Sequence, residues 1–254
     1  MDLSIKNSHP RDQNITFTEA DHSYKVKNDP SKYTSVTTLI HKYFPHFNAD
    51  KIIKNMMISK NWTNSKYYGQ SPDEIKTLWK NNGDSASQLG TDMHQDIENF
   101  FNGIKIDNPD CKEFQMFMNF WNDFQRDYPD VKIFRTEWIV YDEDIKVAGS
   151  IDCILEDDQG NLFILDWKRS REIKYENTFR TDNKGYSYFA EFDNCNYCHY
   201  SLQLNLYRKI LTLKYGKTIT NMMLVILHPN QNSYQCIKID YIDLDEIWAV
   251  INKF

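Results

Sequence analysis

The chain has 254 residues, of which 41% are hydrophobic and 15% aromatic, so it can bury a sizeable core and lacks the composition of a disordered protein. Its net charge of −6 gives no general preference for nucleic acid, and no apolar run approaches the roughly 20 residues that a membrane-spanning helix needs. The N-terminal segment has no apolar stretch of signal-peptide type, and the five cysteines are irregularly spaced. We therefore expect an intracellular, soluble protein of the cytoplasm or nucleus, with no disulfide framework and no membrane partner.

Charge is unevenly distributed along the chain. Ten lysines and four acidic residues lie between Tyr24 and Lys80, acidic residues predominate from Asp84 to Gly160, and basic residues return after Lys168. This pattern can be ordinary solvated surface. Alternatively, two basic segments flank an acidic metal-binding centre and hold a phosphate backbone.

The first third of the chain predicts two short strands, near residues 15–18 and 23–27, and then a series of helices. The first helix begins with Thr34 or Ser35 as its N-cap. Free N–H groups and hydroxyls at such a start can bind phosphate, which makes Ser35 and Thr37 candidate nucleic-acid contacts. A plain helix cap is the simpler interpretation of the same residues.

Four further helices are expected before the first long strand. One covers about 49–59. A second begins at a capping box formed by Ser71 and Glu74 and ends near Gly83. A new helix then runs to about residue 102, and another covers about 111–127.

The helix that follows Gly83 carries His94 and Glu98 on one face, beside an apolar stripe. Gly90 lies one turn before His94 and would let another group approach closely. A histidine beside an apolar stripe is more often a satisfied core residue than a metal ligand. His94 therefore becomes a candidate ligand, and Glu98 an auxiliary acid, only in combination with the strands that follow.

Residues 147–170 predict two strands joined by a tight turn. Residues 158–160 fit a three-residue loop with glycine in the left-handed position. That register places Asp152 directly opposite Asp166, where like charges destabilise a sheet unless a divalent cation lies between them. Lys168 projects from the same face as Asp166. A two-residue loop would leave the carboxylates diagonal, and ordinary rim charges would then explain them.

The strand before this hairpin, about 132–141, contains Glu137 among apolar residues. If this strand neighbours the hairpin, Glu137 reaches the metal or a metal-bound water. A glutamate on the exposed face of the sheet is the equally weighted alternative.

The segment from Arg169 to His199 interleaves basic and aromatic residues and predicts a long loop. Cations hold phosphates while bases stack on aromatic rings, so this composition suits single-stranded nucleic acid; a loop that packs its own rings is the alternative. Its candidate nucleic-acid-binding residues are Arg169, Arg171, Lys174, Arg180 and Lys184. Cys195 and Cys198 form a CxxC pair, which is a weak metal signal because no second pair supplies the other two ligands.

A helix over about 199–215 follows, and it carries Gln203 and Tyr207 as an i,i+4 polar pair. Strands near 221–227 and 234–240 and a short helix complete the predicted order of elements.

Four of these elements, in this order, resemble the PD-(D/E)XK nuclease superfamily, in particular its RecB-like branch, which includes lambda-type exonucleases and the mitochondrial genome maintenance exonuclease. The matching segments are Gly90 to His94 with Glu98 (a metal-histidine helix), Gly149-Ser150-Ile151-Asp152 (a G-x-x-D strand), Asp166-Trp167-Lys168 (a D-x-K strand) and Gln203 to Tyr207 (a Q-x-x-x-Y helix). The Ser35-Val36-Thr37 segment resembles a motif of the mitochondrial-type enzymes, and the run from Trp167 to Arg208 is similar to homologues in large DNA viruses. The resemblance covers roughly residues 31–240.

The resemblance implies a mixed α/β (α+β) fold with a restriction-endonuclease-like PD-(D/E)XK core, in which helices flank a central mixed sheet, and with a helical N-terminal extension. It implies a Mg²⁺ or Mn²⁺ ion held by His94, Asp152, Asp166 and the Trp167 carbonyl. The iron–sulfur members of the branch have one cysteine upstream and three near the C-terminus, a pattern that the cysteines of this chain do not match. We therefore predict no iron–sulfur cluster.

The resemblance also implies a role for each remaining residue of the site. Lys168 positions or deprotonates the attacking water, with a pKa lowered by the cation. Gln203 and Tyr207 orient Lys168 and the scissile phosphate, and Glu98 and Glu137 are auxiliary acids.

The expected activity is hydrolysis of DNA phosphodiester bonds by an exonuclease that prefers single strands or free ends and acts in replication, recombination or repair. A structure-specific endonuclease of the same fold and a catalytically inactive nucleic-acid-binding module are the alternatives. We expect a monomer in which residues 1–83, a β-rich lead-in and basic helical region, pack on a nuclease core of residues 84–254. The sequence points to no particular protein partner.

Overall fold

A computed structural model describes residues 2–178 and 183–251 of the chain. The chain divides into two compact units. The first consists of the residues up to Pro45 and from Met93 onward, and the second is His46–Asp92. The expected division into residues 1–83 and 84–254 stays a prediction.

The helices and strands of the described residues are as follows. The α-helices are α1 (Leu3–Lys6), α2 (Val36–Lys42), α3 (Ala49–Met57), α4 (Pro72–Asn102), α5 (Lys112–Asp127), α6 (Asn196–Tyr215) and α7 (Asp245–Ile251). The β-strands are β1 (Ile15–Thr18), β2 (Ser23–Val26), β3 (Thr34–Ser35), β4 (Lys132–Asp142), β5 (Val147–Glu156), β6 (Leu162–Lys168), β7 (Ile219–Ile226) and β8 (Gln235–Lys238). Short 3-10 helices cover Asp12–Asn14, Glu19–Asp21, Trp62–Asn64 and Ser187–Phe189.

The first unit confirms the predicted fold class, a mixed α/β fold with a central mixed sheet flanked by helices. β4, β5 and β6 form an antiparallel meander, β7 pairs with β6 in parallel, and β8 is antiparallel to β7. The crossover from β6 to β7 contains α6, as a parallel connection requires. β1 and β2 form a separate two-stranded sheet.

Alternate residues of the central strands enter different core clusters. Phe117 and Phe120 of α5 pack against Trp167 of β6, with ring centroids 5.5 and 5.8 Å apart. Ile164 of β6 instead belongs to the cluster that contains Leu202 of α6. The aromatic residues of α5 are therefore core residues, as predicted.

The second unit is helical, and the predicted capping box begins α4. The Ser71 hydroxyl accepts from the Glu74 N–H at 3.3 Å, and Glu74 Oε2 accepts from the Ser71 N–H at 2.7 Å. The expected helix break at Gly83 is wrong, because α4 continues as one helix of 31 residues. A glycine inside a helix costs only about 1 kcal/mol relative to alanine, and the turns on either side offset that cost.

α6 begins three residues earlier than expected, and its first turn packs His199 against α2. The His199 ring centroid lies 4.3 Å from that of Phe44 and 5.6 Å from that of His41. Its Nε2 atom is buried and has no hydrogen-bond partner among the described residues. Burial, assisted by the neighbouring His41, lowers the pKa of His199 to about 4.

This burial predicts a loss of stability in acid. The unfolded chain protonates His199 near pH 6.5, whereas the folded chain protonates it only near pH 4. Between these values the unfolded state binds more protons, so the free energy of unfolding decreases as the pH is lowered. Between about pH 7 and about pH 4, the wild type should lose about 2 kcal/mol more of its free energy of unfolding than a His199→Phe variant, as measured by urea denaturation; this is less than the full shift implies, because His199 is partly exposed and solvent screens its charge. A His46→Gln variant, changed at an exposed histidine, should follow the wild type. Equal pH slopes for all three proteins would contradict the assignment.

Candidate active site

The candidate site lies where one edge of β5 is open. β4 pairs with β5 along the whole strand on one edge. On the other edge Val147 and Ala148 pair with β3, whereas β6 pairs only from Cys153 onward. Gly149 and Asp152 lie between these two pairings, so no described strand pairs with them there.

The turn of the hairpin confirms the predicted register. The Asp157 N–H donates to the Asn161 carbonyl at 3.0 Å, and Gly160 has a left-handed φ of +80°. The ladder between β5 and β6 continues in this register up to the pair just before Asp152 and Asp166. Extended by one residue, this register places the two carboxylates opposite each other just beyond the last pair of the ladder, as the three-residue loop requires.

Three side chains from three elements converge at the open edge: His94 of α4, Glu137 of β4 and Asp152 of β5. One ligand atom of each lies within 4.8 Å of the other two. His94 Nδ1 is 3.7 Å from Glu137 Oε1 and 3.7 Å from Asp152 Oδ2. An imidazole nitrogen and two carboxylate oxygens could together hold a divalent metal ion.

The backbone of Trp167 orients two members of this cluster. Its N–H donates to Asp152 Oδ2 at 2.9 Å, and its carbonyl oxygen lies 3.0 Å from His94 Nε2. Because the carbonyl can only accept, His94 presents an Nε2–H to it and turns Nδ1 toward the carboxylates. The Trp167 carbonyl, a predicted ligand, therefore accepts from the ring nitrogen of His94 that does not face the carboxylates.

Glu137 has a left-handed backbone inside strand β4, with a φ of +44°. The register of β4 with β5 places it opposite Asp152, and its Oε2 accepts from the Ser150 hydroxyl at 2.8 Å. A non-glycine residue keeps such a conformation only where its surroundings enforce it, and such residues concentrate at functional sites. Of the two placements left open by the sequence, the structure has Glu137 beside His94.

The charged groups of the cluster control one another's protonation. Burial lowers the pKa of His94, but the carboxylates of Asp152 and Glu137 outweigh this effect and raise the pKa to about 9. Burial also raises the pKa of the Asp152 carboxyl. A metal ion bound at His94 would therefore have to displace a proton at neutral pH.

Asp166 lies next to the cluster but faces Lys168. Its Oδ2 is 2.7 Å from Lys168 Nζ, and its Oδ1 accepts from the Gln203 amide at 3.2 Å. Oδ2 is buried and, among the described residues, forms an ion pair without the geometry of a hydrogen bond. Burial raises the pKa of Asp166 to about 6 even though Lys168 opposes the shift. A divalent cation in this place would share the carboxylate with the Lys168 ammonium.

Lys168 is held in its charged form. Burial lowers its pKa, but Asp166 and Asp152 reverse this effect and raise the pKa above its ordinary value. The direction is opposite to the expected one, which assumed a neighbouring cation, because two carboxylates dominate the surroundings of the ammonium. The ammonium also lies 5.0 Å from the ring centre of Tyr200, a cation–π contact. Sequence reasoning missed Tyr200, although its place one turn before Gln203 on α6 is the signal that could have indicated it.

Gly149 lets Tyr207 approach the open edge of β5. Tyr207 is buried, and a Cβ added at Gly149 would lie 2.7 Å from its Cε1 and 2.8 Å from its hydroxyl oxygen. Side-chain atoms do not approach that closely without displacement. Tyr207 is also hydrogen-bonded to Gln203, which in turn holds Asp166. Gly149, Tyr207 and Gln203 thus together support the Asp166 carboxylate.

A Gly149→Ala substitution should therefore displace Tyr207 and lower the free energy of unfolding by about 1–3 kcal/mol. The double variant Gly149→Ala, Tyr207→Ala should show a favourable coupling of at least about 1 kcal/mol, because removing the ring makes room for the new methyl group. Urea denaturation of the two single variants and the double variant measures this coupling.

The matched control is Gly90→Ala. Gly90 was expected to admit a close neighbour, but no described atom lies within 4 Å of a Cβ at that position, so this expectation is wrong. The substitution should leave stability unchanged or raise it by up to about 1 kcal/mol, since alanine favours the helix. Additive effects of the changes at Gly149 and Tyr207 would contradict the close approach.

Glu98 lies one turn beyond His94 on α4 and lines a cavity of about 450 Å³ that also contains Glu137. Burial, with the neighbouring Glu137 carboxylate, raises the pKa of Glu98. Arg135, which is buried, and Asp12, which is partly exposed, contribute an ion pair to the same wall. The structure thus brings Glu98 close to one member of the cluster.

Three predicted nucleic-acid contacts, Thr37, Arg171 and Lys174, are exposed. Ser35 is the N-cap of α2, where its hydroxyl accepts from the Thr38 N–H at 3.0 Å. This N-cap was one of the two expected from the sequence.

The other predicted contacts are paired or lie outside the described residues. Arg169 donates to Glu113 of α5 at 2.8 Å, and both side chains are largely buried. Lys184 forms an ion pair with Asp193 at 2.8 Å. Arg180 lies outside the described residues. Sequence reasoning missed Glu113, since nothing in a helix of core aromatic residues identifies it as the partner of a distant arginine.

No protein-family model matches the sequence, and no curated protein matches it. Among solved structures, the chain is similar to a protein from Eubacterium rectale named "Putative exonuclease", with 16% identity, coverage of 65% of this chain and 64% of that chain, and a TM-score of 0.38. It is also similar to the protein SSO0001, with 16% identity, coverage of 55% of this chain and 54% of that chain, and a TM-score of 0.28. The chain thus spans less than two thirds of the length of either protein.

Proposed function

We propose that the protein is a metal-dependent nuclease that hydrolyses phosphodiester bonds in DNA. The convergence of His94, Glu137 and Asp152 within 4.8 Å, next to the Asp166–Lys168 ion pair, carries this proposal. The resemblance of the motifs to the RecB-like branch of the PD-(D/E)XK superfamily supports it. The proposed ion is Mg²⁺ or Mn²⁺, and the imidazole nitrogen favours Mn²⁺.

The proposed ligands of the ion are His94, Asp152 and Asp166, with Glu137 and the Trp167 carbonyl as further donors. When bound, a divalent cation lowers the pKa of a coordinated water and offsets negative charge on the phosphate. The Trp167 N–H keeps Asp152 in place for this role, because it donates to the carboxylate at 2.9 Å.

Lys168 is proposed to stabilise charge on the scissile phosphate and to position the attacking water. The carboxylates around it keep its ammonium charged, which suits electrostatic stabilisation better than proton abstraction. Gln203 positions Asp166, and Tyr207 positions Gln203. Glu98 and Glu137 are the auxiliary acids of the proposal.

The proposed substrate is a single strand of DNA with a free end, processed in replication, recombination or repair. Tyr175, Tyr186 and Tyr188 support this choice, because they expose 58%, 53% and 48% of their surface in the segment that follows the strand of Lys168. Exposed aromatic rings stack on unpaired bases, while Arg171 and Lys174 beside them can hold phosphates. Among the described residues, no helix is long and apolar enough to cross a membrane.

Incubation of the purified protein with linear and circular single-stranded DNA, with Mn²⁺ or with a chelator, tests this proposal. Metal-dependent release of nucleotides from the linear strand alone is expected. Cleavage of the circle would instead identify an endonuclease. If neither DNA is cleaved and calorimetry detects no binding of Mn²⁺, the nuclease proposal is wrong and an inactive nucleic-acid-binding module remains.

A further inference from the structure

Cys195 and Cys198 begin α6, and the proposed nuclease mechanism gives them no part. The sequence presents them as a weak metal signal. Among the described residues, however, the only group of three or more histidine, cysteine or acidic side chains with ligand atoms close enough for a metal is the one around His94. The two cysteines therefore belong to no such group in the part of the chain that the structure describes.

The helix start brings the two thiols together. Cys195 is the N-cap of α6 and Cys198 is the third residue of the helix. Side chains at these two positions face each other, as in a capping box, and residues three apart in a helix have Cα atoms about 5 Å apart. This separation lies within the range that a disulfide spans.

The two thiols influence each other. Burial, and after it the neighbouring Cys195 thiol, raises the pKa of Cys198 to about 12. Cys195 is buried, but Cys198 is partly exposed, so a reagent can reach one sulfur of the pair. Both are free cysteines.

The surroundings of the pair are ordered by hydrogen bonds between α6 and the segment that follows β6. The Asn196 side chain, between the two cysteines, accepts from the Lys174 N–H at 2.8 Å and donates to the Glu172 carbonyl at 2.8 Å. The Cys195 N–H donates to the Asp193 carbonyl at 2.8 Å. These contacts hold Cys195 and Cys198 in one arrangement, which favours a bond between them over bonds to other thiols.

We propose that Cys195 and Cys198 form a reversible dithiol–disulfide pair that exchanges with small-molecule disulfides of the glutathione type. The site is independent of the nuclease proposal, because it lies outside the metal cluster and its chemistry requires no metal ion.

The exchange balances as two successive displacements. Cys198 first loses its proton, and its raised pKa makes the thiolate scarce at neutral pH but intrinsically more nucleophilic. The thiolate attacks one sulfur of the glutathione disulfide, whose S–S bond breaks, and one glutathione leaves. The Cys195 thiolate then attacks the Cys198 sulfur of the mixed disulfide and expels the second glutathione. Two electrons pass from the protein to the oxidant, and the two cysteine protons are taken up by the two departing glutathione thiolates. Reduced glutathione reverses both steps, since a disulfide that closes so short a loop gains little stability from it.

Trypsin and mass spectrometry test this proposal on the full chain, because Cys195 and Cys198 lie in the single tryptic peptide 185–208. The folded protein is incubated with oxidised glutathione, quenched with an alkylating agent and digested. We expect most of this peptide to be lighter than its reduced form by two hydrogen atoms and to resist alkylation until a reductant is added. The exposed Cys236 should carry one glutathione in the same sample.

Two variants separate the pair from general thiol reactivity. Cys195→Ser should convert the product on the peptide from an internal disulfide to a glutathione adduct at Cys198, whereas Cys236→Ser should leave the internal disulfide unchanged. A wild-type peptide that stays reduced, or that carries only glutathione adducts while Cys236 is fully modified, would overturn the proposal. This result needs no variant, so it holds even if Cys195→Ser fails to fold.

Discussion

Replacement of Asp152 by Asn is expected to lower the rate of metal-dependent DNA hydrolysis by a factor on the order of 10³, equivalent to about 4 kcal/mol of transition-state stabilisation. The substitution removes one negative charge from between His94 and Asp166, where the proposed cation is held. It keeps a side-chain oxygen that accepts from the Trp167 N–H. The hairpin should therefore keep its geometry, whereas the proposed site should lose affinity for the metal ion.

Stability should respond differently from activity in this variant. In the presence of a chelator its free energy of unfolding should remain within about 1 kcal/mol of the wild-type value, because a buried like charge is removed and His94 can become neutral. The rate on a labelled single strand and the midpoint of urea unfolding measure the two effects. Asp158→Asn, at an exposed residue of the same hairpin, is the control and should change neither. A variant at Asp152 that keeps more than a tenth of the activity would remove this residue from the metal site.

A Lys168→Met variant is expected to lose both activity and stability. Asp166 is only 2% exposed and its Oδ2 faces the Lys168 ammonium, so removal of the ammonium leaves a buried carboxylate without a cationic partner and with only the Gln203 amide on Oδ1. Such a change costs about 3 kcal/mol when the carboxylate stays charged. The rate of hydrolysis should fall by a factor on the order of 10², because the scissile phosphate loses a cationic partner.

The stability loss in this variant should depend on pH with a definite sign. The folded pKa of Asp166 is already raised to about 6 in the wild type and should rise further without Lys168. A carboxyl group with a raised pKa destabilises the fold increasingly as the pH rises above its unfolded value of 3.8. The deficit should therefore be small near pH 5 and complete near pH 8, as chemical denaturation at the two pH values would measure. Lys174→Met, at an exposed lysine further along the chain, should show no such deficit, and a deficit independent of pH would contradict the ion pair.

Local signals in the sequence were enough to predict the geometry of the hairpin. Gly160 fixes the turn, the turn fixes the register, and the register opposes Asp152 and Asp166. The Ser71 capping box is predicted for the same reason, since its donors and acceptors lie within four residues. Local signals fail where opposing preferences compete. Gly83 predicted the end of a helix, but the helix-forming residues on either side continue α4 through it.

Contacts between distant residues account for what the sequence did not reveal. No residue type announces the left-handed backbone of Glu137. The pairing of Arg169 with Glu113 joins residues 56 positions apart, so a basic residue that looked free for phosphate is already engaged. The raised pKa of Lys168 likewise depends on the total charge around it, which a motif does not specify.

The row of acids across β4, β5 and β6 also has a consequence for how the protein folds. Glu137, Asp152 and Asp166 occupy one continuous meander within residues 132–168, whose contacts are short in sequence and can form early. His94 and Lys168 offset these charges, and His94 comes from a helix that must dock over a longer chain separation. Formation of the meander therefore brings like charges together before all of their partners arrive, and divalent cations should accelerate refolding as well as stabilise the folded state. The carboxylates that are proposed to hold a metal ion should thus also slow the assembly of the sheet that carries them.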